Sequence, residues 1–254
     1  MRKETVRRIR LLLFPVAAAL LFCALSAVRK GQERGELPLL TASAVLHAGA
    51  EGRPEGEGDV YGESAGKKEE RRKVALSFDD GPHPAYTEQL LDGLKKRGVK
   101  ATFFVTGEHA ALHPDIIRRM SEEGHLIGNH TYTHIQLNAS NREQFKEELI
   151  RTNEVISEIT GDEVLYVRPP YGSWDKTLEE ELNMFPVLWT VDPLDWCCSN
   201  ASCIVRSVVE EVEENDIILM HDYYDTSVTA ALEIVDELLA EGYTFVTVEE
   251  ILFD

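Results

Sequence analysis

"KVALSFDDGPHP", residues 73–84, is an apolar run that ends on two adjacent aspartates and is stopped by Gly81-Pro82. Such a run bounded by turn formers predicts a buried strand. Asp79 and Asp80 at its end repel one another, which a solvated turn tolerates cheaply. A catalytic site would pair them for a reason: one carboxylate holds a metal while the other moves a proton. Further apolar runs at 101–105, 126–129, 166–168, 187–191, 217–220 and 244–248 read as strands of the same kind.

Helical periodicity fills most of the gaps. "YTEQLLDGLKKRG" closes on basic residues and Gly98, a reasonable helix stop. "SNREQFKEELIRTNEVISEITG" opens with Ser140 and Glu143 at capping-box spacing, and "SVTAALEIVDELLAEG" runs to Gly242. Strand and helix in alternation over 73–254 predict a mostly parallel α/β domain. Short connections between seven strands suit a barrel at least as well as an open sheet. The unusual polar residues fall just after strands: Asp79-Asp80, His130, Arg168, Asp195 and His221. At the C-terminal strand ends of an α/β barrel such side chains converge on one mouth.

The ends of the chain read differently. Arg2, Lys3, Arg7, Arg8 and Arg10 precede an uncharged run at 11–28, which Arg29-Lys30 close. That pattern predicts a signal peptide or membrane anchor over 1–28 with everything after it exported. Ala24 and Ser26 suit cleavage and Arg29-Lys30 do not, so a tethered and a secreted protein both stay open. Residues 29–72 hold eight glycines and runs such as "AEGRPEGEGD", which predicts a flexible linker. The formal charge is −19; residues 1–30 contribute +6, so the rest carries −25. A domain that acidic repels phosphates, which excludes a nucleic-acid partner and leaves neutral glycans. Beyond Cys23 the thiols are Cys197, Cys198 and Cys203 in "CCSNASC", where Cys203 could pair with either neighbour and no zinc-finger spacing is present.

"GNHTYTHIQL" places His130 and His134 at i, i+4, one face of a helical turn. A zinc-protease helix needs Glu after the first histidine, and Thr131 stands there. A third ligand must come from elsewhere, and Asp80 is the best candidate. Two imidazoles and one carboxylate leave a coordination position open, as catalytic zinc sites do.

"SFDDGP", "HTYTH", "RPPYG", "DPLDW" and "LMHD" stand in the order and approximate spacing of the polysaccharide deacetylase family, carbohydrate esterase family four, which the chain resembles over 73–254. The resemblance implies a distorted (β/α)7 barrel and metal-dependent removal of acetyl groups from sugars in polymers. Zinc is the first choice of metal, with cobalt, nickel and manganese as alternatives. By the same resemblance Asp79 is the general base and Asp80, His130 and His134 hold the metal. Arg168 orients the base, and the Tyr171 backbone N–H helps hold the oxyanion. Asp195, rather than Asp192 in the same motif, positions the acid His221; Trp196 lines the groove and Leu219 the acetyl pocket. The expected activity is N-deacetylation of peptidoglycan or a chitin-like glycan by a monomer. An O-acetyl esterase and a non-catalytic glycan-binding module are the alternatives. His83, His109 and His113 carry no motif role, and His125 reads as structural.

Overall fold

The computed structural model describes residues 72–253, so the signal peptide or anchor expected at 1–28 and the linker expected at 29–72, up to residue 71, lie outside the described residues. Among the described residues no helix is long and apolar enough to cross a membrane. Arg72, the last residue of the linker read from sequence, already belongs to the fold. Its guanidinium lies 4.0 Å over the Tyr243 ring, and its carbonyl accepts the Thr244 N–H at 2.8 Å.

The elements run β1 Lys73–Asp79, α1 Tyr86–Arg97, β2 Thr102–Val105, α2 Gly107–Leu112, α3 Pro114–Glu122, β3 Leu126–Asn129 and α4 Arg142–Thr160. Then come β4 Tyr166–Val167, α5 Thr177–Leu182, β5 Phe185–Pro186, α6 Ala201–Glu211, β6 Ile217–His221, α7 Asp225–Ala240, β7 Thr244–Val246 and α8 Val248–Phe253. The strands form one parallel sheet in the order β5-β4-β3-β2-β1-β6, with β7 paired to β1. Curled on itself with helices outside, it is a distorted (β/α)7 barrel. β5 and β6 share no ladder; the single Val191–Ile218 bridge spans that seam.

Alternation along each strand divides the core in two. Outward-facing Val74, Leu76, Phe78, Phe103, Ile218 and Met220 pack with Leu90, Leu91 and Leu94 of α1 and with Ile234, Val235 and Leu238 of α7. Burying each such leucine contributes about 1.5–3 kcal/mol relative to leaving it in water. Inward-facing Ala75, Phe104, Tyr166, Val187 and Ile217 fill the barrel. Phe104 needs its neighbour to be glycine, because a Cβ on Gly128 would lie 2.5 Å from its ring.

Two local expectations fail for identifiable reasons. Residues 187–191 do not form the fifth strand, which is Phe185–Pro186 instead. After it the chain crosses the seam, with the Val187 N–H bonded to Val167 O and the Val191 N–H to Ile217 O. Ser140 does not cap α4: its hydroxyl is taken by Asn138 Oδ1 at 2.7 Å, and Asn141 stands at the N-cap. The pairing left open for Cys203 is not made: no disulfide joins Cys197, Cys198 and Cys203. The Cys203 N–H is held by the Asn200 side chain that caps α6, while Cys197 Sγ and Cys198 Sγ turn to the carbonyls of Leu194 and Asn200.

Candidate active site

β1 brings Asp79 to the mouth at its last position, and Ser77 and Asp79, two residues apart, share its inner face. β6 lies beside it in a register that sets Asp79 against His221 and Ser77 against Leu219. Strand pairing therefore makes the base and acid candidates neighbours.

Arg168 follows β4, and the alternation that turns Val167 outward turns Arg168 inward. Its side chain is fully buried. Nη1 donates to Asp79 Oδ1 at 2.9 Å and to Ser77 Oγ at 2.7 Å. Nε and Nη2 donate to the carbonyls of Val187 and Leu188, each at 3.2 Å. The guanidinium lies 4.2 Å over the Phe104 ring. Burial pulls the Arg168 pKa down and the Asp79 charge opposes it. Ser77, whose hydroxyl in turn donates to Ile218 O at 2.7 Å, was not singled out from sequence. Its spacing of two before Asp79 in a strand is the signal that would have found it.

His130 and His134 are not on a helical turn. They lie in a loop after β3 in which Thr131 and His134 take left-handed φ values of 62° and 58°. Two residues overlooked in the sequence hold that loop. Asn129 Oδ1 accepts the Thr131 N–H at 2.8 Å, while its amide donates to Leu149 O and Asn153 Oδ1. Glu148 of α4 accepts the N–H groups of Tyr132 and Thr133 and the Thr133 hydroxyl. His130 Nδ1 bonds Arg168 O at 2.6 Å, which directs Nε2 toward Asp80.

Asp80 is itself left-handed, at φ 74°, and its carboxylate turns away from Asp79 toward the two imidazoles. Its Oδ1 lies 3.5 Å from His130 Nε2 and 3.4 Å from His134 Nε2. That oxygen is buried without a hydrogen-bond partner, and the three ligand atoms lie within 4.8 Å of one another. An orphaned carboxylate oxygen facing two imidazole nitrogens is the donor set a divalent cation requires, so the residues fit a metal ion. Burial raises the Asp80 pKa, but the His130, His134 and His221 rings outweigh it and hold the carboxyl well below its ordinary range.

The remaining groups close the site. Asp195 Oδ1 bonds His221 Nδ1 at 2.8 Å, and Oδ2 accepts the His221 N–H at 2.9 Å. Asp192 instead accepts the Leu194 N–H within its own loop. Tyr171 sits in a short 3₁₀ turn, Pro170–Gly172, at φ 59°, with its exposed ring edge-on to His134 at 5.1 Å. Trp196 is half-buried beside Asp195. Leu219 is buried two residues below His221 on the same face of β6. Gly81 has no room for a side chain, since a Cβ there would lie 2.3 Å from the Asp222 carboxylate. His125, as the sequence suggested, is structural: Nδ1 accepts the Ala101 N–H at 3.1 Å, and burial lowers its pKa to about 4.

Burial opposes a charged His221, but the bond to Asp195 and the charges of Asp195, Asp79 and Asp80 lift its pKa to about 9. The value lies above the ordinary 6.5, so the stabilisation of the charged ring is complete below that pH and is lost as pH climbs through about 9. Replacing Asp195 with asparagine is expected to move the basic limb of the pH–rate profile to lower pH. An unmoved limb would assign that limb to another group.

The family model for polysaccharide deacetylase matches residues 66–187. The chain is 37% identical over 191 residues to a chitooligosaccharide deacetylase of Rhizobium leguminosarum bv. trifolii, covering 68% of this chain and 88% of that protein. The chain belongs to the polysaccharide deacetylase family. Among these deacetylases it is also 40% identical to the peptidoglycan-N-acetylmuramic acid deacetylase PdaC of Bacillus subtilis. That match takes in 71% of this chain but 39% of PdaC, so the chain spans about two fifths of that relative's length. The solved PdaC structure superposes with a TM-score of 0.70 at 39% identity, covering 72% of this chain and 91% of that one. A family 4 acetyl xylan esterase from Clostridium thermocellum, solved with a cobalt ion, gives a TM-score of 0.67 at 34% identity over 71% and 90% of the two chains.

Proposed function

We propose that the protein is an exported, metal-dependent deacetylase that hydrolyses N-acetyl groups on the amino sugars of a glycan, with peptidoglycan as the first substrate to test. The observation that carries this reading is the strand register that sets Asp79, paired to Arg168, beside His221, paired to Asp195, at the rim of the Asp80–His130–His134 cluster. Relatives that deacetylate peptidoglycan and chitooligosaccharides support the substrate class. The basic residues and apolar run of the N-terminus support export, either tethered to the membrane or released from it. We take the protein to act as a monomer.

Asp80, His130 and His134 would hold the cation, zinc by preference for two imidazoles and a carboxylate. When bound, such an ion supplies Lewis-acid polarisation of the acetamide and acidifies water. Asp79, held by Arg168, takes the proton of the water that attacks the acetyl carbon. The Tyr171 N–H donates to the oxyanion that develops there. His221, charged through Asp195, gives its proton to the sugar nitrogen as the C–N bond breaks. Acetate and a free amine leave. Leu219 offers an apolar wall to the acetyl methyl, and Trp196 a side to the groove.

Incubation with N-acetylated chitooligosaccharide or peptidoglycan is expected to release acetate. A chelator should abolish release and added zinc or cobalt restore it. Release that survives exhaustive chelation would overturn the metal-dependent reading. The same residues can cleave an ester, and the likeness to the acetyl xylan esterase favours testing acetylated xylan beside the amides. A preference for xylan would transfer the assignment to O-acetyl groups.

A further inference from the structure

Aromatic side chains that no motif claims gather at the mouth beside Asp80. His83 stacks on Tyr86 at 4.3 Å and meets Tyr223 edge-on at 5.0 Å. His109 stacks on Tyr223 at 5.3 Å, and Tyr223 meets Tyr224 edge-on at 6.2 Å. They converge from the loop after β1 and the first turn of α1, from α2 and from the loop after β6. The cluster is tied to the catalytic machinery at two points. His109 Nδ1 bonds the Asp80 carbonyl at 2.8 Å. Tyr223 follows His221 and Asp222, and the buried Asp222 carboxylate is clamped by the Thr87 hydroxyl, whose oxygen also accepts the His83 N–H at 2.7 Å.

Tyr223 and Tyr224 remain 37% and 44% exposed. Among the described residues neither hydroxyl has a protein partner. Burial, with the charges of Asp80 and Asp195 and the neighbouring Tyr223, raises the Tyr224 pKa. Tyr171 flanks the same ligand cluster from the β4 side, edge-on to His134. Exposed aromatic rings therefore stand on both sides of the reacting position. An isolated acetylated sugar needs no such breadth, whereas a polymer presents a ring at the centre and others beyond it. Tyrosine suits a pyranose because its ring offers an apolar face and its hydroxyl a hydrogen bond. Neighbouring rings already fix the Tyr223 side chain, so little freedom is lost on binding.

We propose that Tyr223 and Tyr224, backed by His83 and His109, form a further subsite that seats the pyranose ring adjacent to the acetylated one in the same glycan chain. The assignment rests on the deacetylase reading above and adds to it the residues that recognise polymer length.

The test uses the full chain with Tyr223→Ala and Tyr224→Ala, and N-acetylglucosamine with N-acetylated chitooligosaccharides from dimer to hexamer. Loss of kcat/KM is expected to be absent on the monosaccharide and to appear once a neighbouring ring is present, reaching about 10-fold on the hexamer and residing in KM. Tyr223→Phe should retain most of the hexamer affinity, because the ring face is kept. Equal losses at every length, or none on the hexamer, overturn the subsite. Calorimetric binding of the hexamer to Asp79→Asn, with and without Tyr223→Ala, gives a readout that needs no turnover. Weakened binding there supports the subsite even if the wild-type protein releases no acetate, a result that would defeat only the deacetylase reading. No hexamer binding by either variant overturns the subsite.

Discussion

Asp79→Asn is expected to cut acetate release by about 10²–10⁴-fold, the usual contribution of a positioned general base. Asparagine is nearly isosteric and its carbonyl oxygen can still accept from Arg168 Nη1, now 2.9 Å from Asp79 Oδ1. The loss should therefore fall on kcat, and because the buried Arg168 charge loses its counter-ion the variant is also expected to unfold at lower denaturant while still folding. Metal uptake is the control, because Asp80, His130 and His134 form the ligand cluster and Asp79 is not part of it. Acetate release measured beside metal stoichiometry separates the two carboxylates: Asp79→Asn should bind metal and fail to turn over, whereas Asp80→Asn should fail at both. An Asp79→Asn protein with full activity would remove Asp79 from the role of base.

Arg168→Met is expected to have the largest effect on stability. The guanidinium is fully buried, and so is the Asp79 carboxylate it meets. Breaking a buried pair from one side leaves an uncompensated charge, at a cost of about 3–5 kcal/mol. Four hydrogen bonds are lost together, to Ser77, Asp79, Val187 and Leu188. Denaturant unfolding of the wild type and the variant checks this; a difference below about 1 kcal/mol would mean that the pocket rehydrates and the pair is not a structural anchor. Adding Asp79→Asn to Arg168→Met should recover part of the loss, since the stranded charge is then removed.

The barrel was legible because its strands are buried on both faces and read as continuous apolar runs. The ladder of site residues was legible because parallel strands end together, so polar residues placed after apolar runs must meet. Two kinds of information were not. The His130–His134 spacing suggests a helix, but the loop's left-handed residues and its tether to Glu148 depend on a helix that lies later in the chain. The 187–191 run has strand composition, yet it crosses the seam because its hydrogen-bonding partners come from Val167 on one side and Ile217 on the other. Local composition reports burial; it does not report which neighbour supplies the next carbonyl. Ser140 fails as a cap for a similar reason, since Asn138 competes for its hydroxyl.

That crossing segment also sets an order of failure under heat. The seam between β5 and β6 is held by an isolated bridge, and segments with few ladder bonds are the first to open in native-state fluctuations. The carbonyls that Arg168 grips, Val187 and Leu188, lie at its start, so each opening loosens the guanidinium from the segment that helps hold it against Asp79. Breathing at this edge of the sheet is thereby coupled to the Asp79 carboxylate on β1, so warming is expected to loosen the Arg168–Asp79 pair before the barrel unfolds.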